Sequence, residues 1–265
     1  MTENSYLLAD QASELGRLQL QSRVWEPAGR RLLDQIGDGA GFNVCDIGCG
    51  AMGWLRLLSA WVGPGGTVVG TDIDETMLSA ADRFVSTEGL ANVALIKDDL
   101  FATDLDASSF DLVHARFQLA LGRSPDQMAS YLQLVRPGGT VCLEDVNPPS
   151  WHFIGLAPAN ERLIGLIRDA FQGAGIGDPS ATQLQMFRDA GMEVEARAEV
   201  QPLPPGHPYQ RLALQFAKGL RKPLQAMVGE EELSRLEKEA ERELEEPHLW
   251  GVTFTLFQTW GRRSA

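Results

Sequence analysis

Short apolar runs alternate with longer amphipathic stretches through the first half of the chain. The runs at 43–47, 67–71, 93–97, 110–114 and 140–145 are brief and rich in β-branched residues, as buried strands are. Between them, 54–61, 75–88 and 126–135 repeat apolar positions at helical spacing. This alternation predicts an α/β fold with a parallel, doubly wound sheet. Right-handed crossovers then place a ligand at the carboxyl ends of the strands. Residues 1–40 read as one or two capping helices, with Leu15, Leu18, Leu20, Val24, Leu32, Leu33 and Ile36 apolar.

After residue 150 the rhythm changes. Helices are predicted at 158–172 and 181–190 and a strand at 192–199, followed by a proline-rich break at 202–208. Helices at 209–228 and 230–246 lead to an alternating strand at 252–260. The 230–246 stretch is dense in charge, with Leu233, Leu236, Ala240 and Leu244 on one stripe. It reads as a solvated helix packed on the domain, or as a lid or dimer helix. The expected organisation is one domain over 1–265: a cap (1–40), a core (41–150), an insertion that shapes the substrate site (151–250) and a closing strand (251–265).

With 265 residues, 44% of them hydrophobic, the chain can bury one sizeable core. No run approaches the ~18 apolar residues of a membrane span, and the N-terminus has neither a basic start nor an apolar segment like a secretory signal. Three cysteines, Cys45, Cys49 and Cys142, fall in or beside predicted strands, which suits reduced thiols in the cytoplasm. The net charge of −13 disfavours nucleic acid, whose binding needs clustered Lys and Arg. The expected partner is a small molecule, with the protein off the membrane and a monomer or homodimer.

The candidate chemistry starts where the first strand meets the first helix, at Asp46-Ile47-Gly48-Cys49-Gly50-Ala51-Met52-Gly53. Gly48 and Gly50 permit a sharp turn and a close ligand approach. The spacing is that of a dinucleotide fingerprint, so the glycines alone select no ligand. Asp46 narrows the choice: a carboxylate repels a pyrophosphate and attracts a cation. S-adenosylmethionine (SAM), with its sulfonium and ammonium groups, fits. Asp72 ends the second strand roughly 20 residues on, where an acid meets ribose hydroxyls. Asp74 reads as the cap of the next helix, and Ile73 and Met77 as contacts to adenine or ribose, or as core.

His114 ends the fourth strand and could act as a general base, or be structural. Arg116 is a candidate for a carboxylate of SAM or substrate, and Phe117 for the acceptor. Glu144 and Asp145 end the fifth strand; they point to opposite faces, so one of them is expected to face the acceptor. His152, His207 and His248 lack partners at metal-ligand spacing, so no metal is predicted.

In order and spacing, residues 5–200 resemble the class I SAM-dependent methyltransferases, particularly small bacterial enzymes acting on metabolites. The resemblance rests on Asp46–Gly53, Asp72, Asp98-Asp99-Leu100, Phe110-Asp111-Leu112-Val113 and Arg136-Pro137-Gly138-Gly139. It implies a seven-stranded Rossmann-like sheet, mostly parallel with the last strand antiparallel, a helical cap and a helical insertion. It further implies that Asp99 and Leu100 read adenine and that Ala115 offers its carbonyl to the SAM amine. The opening Tyr6…Glu14…Arg17-Leu18…Gln21 resembles a helix laid over the methionine end of SAM, with Tyr6 toward substrate and Arg17 toward cofactor. Met52 stands where many relatives have a small residue. The implied activity is transfer of the SAM methyl group to an O, N or C nucleophile of a small, hydrophobic metabolite. A SAM-binding protein without methyl transfer, and a nicotinamide-dependent oxidoreductase, are the alternatives.

Overall fold

The computed structural model describes residues 11–118 and 127–264. In chain order, α1 (Gln11–Ile36) leads into β1 (Asn43–Ile47), α2 (Leu55–Val62), β2 (Thr67–Asp72), α3 (Glu75–Glu88), β3 (Val93–Lys97), β4 (Phe110–Arg116), α4 (Gln127–Leu134) and β5 (Val135–Asn147). Then come β6 (His152–Ile154), α5 (Pro158–Gly173), α6 (Pro179–Asp189), β7 (Glu195–Glu199) and β8 (Pro202–Leu203). Last are α7 (Leu212–Gly219), α8 (Arg221–Val228), α9 (Glu230–Glu243), β9 (Trp250–Val252) and β10 (Thr255–Arg262).

Two compact units emerge. One comprises residues 25–146, 178–198 and 256–265, and holds a seven-stranded sheet in the order β3-β2-β1-β4-β5-β10-β7. Strands β1 to β5 run parallel. β10 runs antiparallel on β5: Gly138 N–H donates to the Arg263 carbonyl at 2.9 Å, and Arg263 N–H to that of Gly139 at 2.8 Å. Each sheet face buries its own apolar cluster. On one, Val44, Leu112 and Cys142 pack with Leu32 and Leu33 of α1 and Leu55 and Leu58 of α2. On the other, Cys45, Val113, Val141 and Leu143 pack with Met128 and Tyr131 of α4 and Phe187 of α6. All three cysteines are free and buried, and burial pushes their thiols up in pKa.

Of the described residues, the other unit comprises 11–24, 147–177 and 199–255. It is helical, with a small antiparallel sheet in the order β6-β9-β8. Helix α5 starts after Ala157, which has no capping side chain. Glu243 of α9 supplies the cap instead: Oε1 accepts the Ala159 N–H at 2.8 Å, and Oε2 accepts the Asn160 N–H at 2.9 Å and its side-chain amide at 2.8 Å. The predicted apolar stripe of α9 is buried, from Leu233 through Leu236 and Ala240 to Leu244. Phe153, Leu163, Ile164, Leu166, Leu212 and Leu214 are likewise buried, which makes them the core of this unit.

The seven strands predicted from the pattern all form, with three local differences. The Arg136-Pro137-Gly138-Gly139 turn is absorbed into the start of β5 through a register shift opposite Phe110 and Leu112. The predicted 209–228 helix breaks into α7 and α8 at Leu220. The two-to-three-residue strands of the small sheet carried no pattern of their own. No described helix is long and apolar enough to cross a membrane.

Candidate active site

The loop after β1 is shaped by three glycines in the left-handed region: Gly48 (φ 62°), Gly50 (φ 56°) and Gly53 (φ 39°). A Cβ on Gly53 would sit 2.4 Å from an Asp46 oxygen and 2.7 Å from the Cys49 carbonyl oxygen, so this turn admits only glycine. At Gly50 a Cβ would meet nothing within 4 Å, so the loop is open there.

Asp72 closes the loop onto β2. Its Oδ2 accepts the Gly50 N–H at 2.8 Å and its Oδ1 accepts the Asp74 N–H at 2.9 Å. Each oxygen keeps a lone pair for a ligand hydroxyl. Burial raises the Asp72 pKa, against the lowering pull of those backbone donors. Beside it, Ile73 is 63% exposed, while Met77 is half-buried in the first turn of α3. Asp74 is the cap of α3, as predicted, accepting from the Thr76 and Met77 N–H groups. At the end of β3, exposed Asp99 accepts the Phe101 N–H at 3.0 Å, opening a short 3-10 turn that begins at half-buried Leu100. Asp98 beside it is half-buried: Oδ1 accepts the Asp104 N–H at 3.3 Å, and Oδ2 is buried without a partner.

Three sequence expectations change here, at Asp46, at His114 and at the Glu144-Asp145 pair. Asp46 was expected to hold the SAM ammonium; it is 2% exposed, and both oxygens turn into the protein. Oδ2 accepts the Trp54 N–H at 3.0 Å and Oδ1 lies 2.7 Å from His114 Nδ1. His114, the candidate base, is wholly buried. Its position in β4 pairs it with Asp46 of β1 and Cys142 of β5, and the ring lies on the α2 face of the sheet, beneath Trp54, at 4.0 Å between ring centres and 15° between planes. A ring with no exposed surface cannot take a proton from an acceptor in this conformation. Burial pulls its pKa down, but the Asp46 and Glu144 carboxylates prevail and raise it above the ordinary histidine value.

Glu144 and Asp145 are also buried, at 1% and 0% exposure, so neither presents its carboxylate to an acceptor. Glu144 Oε1 accepts from Gln258 of β10 at 2.7 Å, while Oε2 lies 3.7 Å from His114 Nε2. Asp145 Oδ1 accepts the Val146 N–H at 2.8 Å. The pleat explains the burial: Asp46, His114 and Glu144 lie on the face covered by α2, and Asp145 on the opposite one.

Ala115 is buried, and Arg116 reaches back to the Gly53 carbonyl at 3.5 Å with its guanidinium 5.4 Å from the Phe117 ring centre. Phe117 holds φ 59°, uncommon for an aromatic residue. Gln118, which the sequence did not single out, approaches the carbonyls of Gly48 and Arg116 at 3.4 Å each. Arg17 lies in the helical unit, where it donates to Gln21 at 2.6 Å and lies 5.3 Å from the Phe216 ring centre. Tyr6 is outside the described residues. Met52 is buried. Among the described residues, no group of three His, Cys, Asp or Glu could hold a metal ion.

The sequence missed Trp54 and Gln258 as members of the site. Trp54 had a signal, since it follows the third glycine at the start of a helix. Gln258 had none, because its partner lies on a strand far away in sequence.

Residues 44–139 match a family model described as a methyltransferase domain. Among curated proteins, a nocamycin O-methyltransferase from Saccharothrix syringae is 37% identical over 148 residues, covering 55% of this chain and 52% of that protein. A demethylmenaquinone methyltransferase from Lactococcus lactis subsp. lactis is 30% identical over 122 residues, covering 44% of this chain and 48% of that protein. The chain thus spans about half the length of these relatives. Among solved structures, a SAM-dependent methyltransferase from Aquifex aeolicus aligns with TM-score 0.54 at 22% identity, over 72% of this chain and 91% of its own. An N-methyltransferase from Haemonchus contortus, in complex with phosphomonomethylethanolamine and S-adenosylhomocysteine, aligns with TM-score 0.59 at 14% identity, over 100% of this chain and 61% of its own. At these identities the structural likeness is one of fold.

Proposed function

We propose that this chain, whose residues 44–139 form a class I SAM-dependent methyltransferase domain, transfers the methyl group of SAM to an O, N or C nucleophile of a small, apolar metabolite. The observation that carries this reading is the loop between β1 and α2: three left-handed glycines, open space at Gly50, and the half-buried Asp72 carboxylate tied to the Gly50 N–H.

When bound, SAM would supply a methyl carbon already activated by its sulfonium; the acceptor atom would take it as the carbon–sulfur bond breaks, its proton passing to solvent and S-adenosylhomocysteine leaving. The protein's own task is alignment, for which effective-molarity gains of roughly 7–11 kcal/mol are available. Gly48 and Gly50 let the backbone approach the methionine end. Asp72 accepts from the ribose hydroxyls, and exposed Ile73 with Met77 covers the nucleoside. Asp99 accepts from the adenine amine and the Leu100 N–H donates to the ring. The Ala115 carbonyl and Arg116 serve the amino-acid end, and Phe117 faces the acceptor.

A small-molecule acceptor agrees with the names of the relatives, a nocamycin O-methyltransferase and a demethylmenaquinone methyltransferase. The same reading takes the protein to be cytoplasmic, a monomer or homodimer, and without nucleic-acid or membrane partners. The test is calorimetric titration with SAM and with NADH, followed by mass spectrometry of S-adenosylhomocysteine released in the presence of phenol and quinol acceptors. Micromolar SAM binding with turnover is expected; NADH binding in its place would overturn the reading.

A further inference from the structure

Two buried polar atoms face each other on the α2 side of the sheet: His114 Nε2 and Glu144 Oε2, 3.7 Å apart and neither hydrogen-bonded. A native interior rarely leaves such atoms unpaired without a reason. The rest of the cluster is tightly held. Asp46, His114 and Glu144 come from β1, β4 and β5, three adjacent strands, and Gln258 comes from β10, the next strand along. Trp54 closes a triangle: its backbone N–H donates to Asp46 and its indole stacks on the His114 ring.

We propose that His114 is a positioning residue: its Nδ1–H holds the Asp46 carboxylate, whose other oxygen holds the start of α2, so the ring sets the glycine loop that receives the methionine end of SAM. Glu144, steadied by Gln258, secures the other edge of the ring. The proposal rests on the SAM reading of the loop.

Three physical points support it. The loop itself spans only Gly48 to Gly53, so a carboxylate held at both oxygens fixes where it begins and where α2 starts. The would-be Cβ of Gly53 falls 2.4 Å from Asp46 Oδ2, so the loop is moulded on that carboxylate and moves if it moves. The ring faces Asp46 of β1 on one edge and Glu144 of β5 on the other, while Arg116 of β4 is turned to the Gly53 carbonyl. A doubly protonated ring is the one form that offers a donor to both carboxylates, and the Trp54 face stabilises a cation.

The test uses three substitutions in the full chain. An asparagine amide nitrogen overlays Nδ1 of histidine, whereas a glutamine amide nitrogen overlays Nε2. His114→Asn is expected to bind SAM within about threefold of the parent. His114→Gln and His114→Leu leave the Asp46 oxygen without its donor and are expected to bind about 5- to 100-fold more weakly. Thermal melts measured alongside separate this pattern from general loosening, which would weaken all three alike. Equal affinity in all three variants, or equal loss in all three with intact melts, would overturn the proposal.

Should the variants fail to fold, nitrogen-15 NMR of the parent decides. A proton on Nδ1, with or without one on Nε2, supports the clamp, and a ring protonated on Nε2 alone overturns it. If the parent binds no SAM, the cofactor reading fails, and the ring's protonation still shows whether Asp46 is held.

Discussion

Asp72→Ala would separate cofactor binding from fold. In the parent, the carboxylate is held by the Gly50 N–H at 2.8 Å and the Asp74 N–H at 2.9 Å, leaving one lone pair per oxygen for the two ribose hydroxyls. A hydrogen bond to a charged group contributes about 1.5–3 kcal/mol. Losing two therefore weakens SAM by roughly 3–6 kcal/mol, or about 10²- to 10⁴-fold. Asp72→Asn keeps one acceptor oxygen but turns an amide donor toward a backbone N–H, so its loss should be intermediate. Calorimetry with SAM and with S-adenosylhomocysteine gives the affinities, and circular dichroism checks the fold. The two ligands should weaken in parallel, because they share the ribose. Unchanged affinity in Asp72→Ala, with the fold intact, would refute the assignment of this loop as the cofactor site.

Three further outcomes follow from the same geometry. Gly53→Ala should lower SAM affinity at least tenfold and cost about 2–4 kcal/mol of stability, since a left-handed alanine is strained and its methyl displaces the Asp46 carboxylate; calorimetry and guanidinium unfolding check both. Because His114 has a folded pKa raised above its ordinary 6.5, the stability it contributes is fully present below pH 6.5 and is lost as pH climbs through the folded value. Over that alkaline range the parent's melting temperature should fall more steeply than that of His114→Asn, which has no ring to titrate; parallel curves would contradict the raised pKa. Glu243→Ala should destabilise the helical unit by about 2–3 kcal/mol, because it removes the acceptor of two backbone N–H groups and of the Asn160 side chain. A melting temperature unchanged in scanning calorimetry would count against that cap.

Most of the sheet was legible because each buried strand is a self-contained apolar run, and Asp74 declared itself as a cap by preceding an amphipathic stretch. The roles of Asp46, His114 and Glu144 were not. Their chemistry invited a ligand-facing reading, but which way a side chain points at a strand end depends on register against neighbours far away in sequence. His114 is buried because Asp46 lies beside it on β1 and Trp54 lies over it. Glu144 is buried because Gln258 reaches it from β10. The cap of α5 was hidden for the same reason, its acceptor being on α9. Helix α7–α8 broke at Leu220 for a local reason that the apolar pattern hid: Gly219 ends α7, and Pro223 in the first turn of α8 has no N–H to donate back to the Gly219 carbonyl.

The strand order has a consequence for how this molecule comes into being on the ribosome. β10 lies between β5 and β7, so β7 has no hydrogen-bonded neighbour until residues 255–262 have been synthesised, some sixty positions later. Until then β5 offers an open edge and Glu144 lacks the amide that steadies it, which exposes the nascent chain to mispairing and to capture by chaperones. Closure of the sheet and completion of the Asp46–His114–Glu144 cluster therefore belong to one late event.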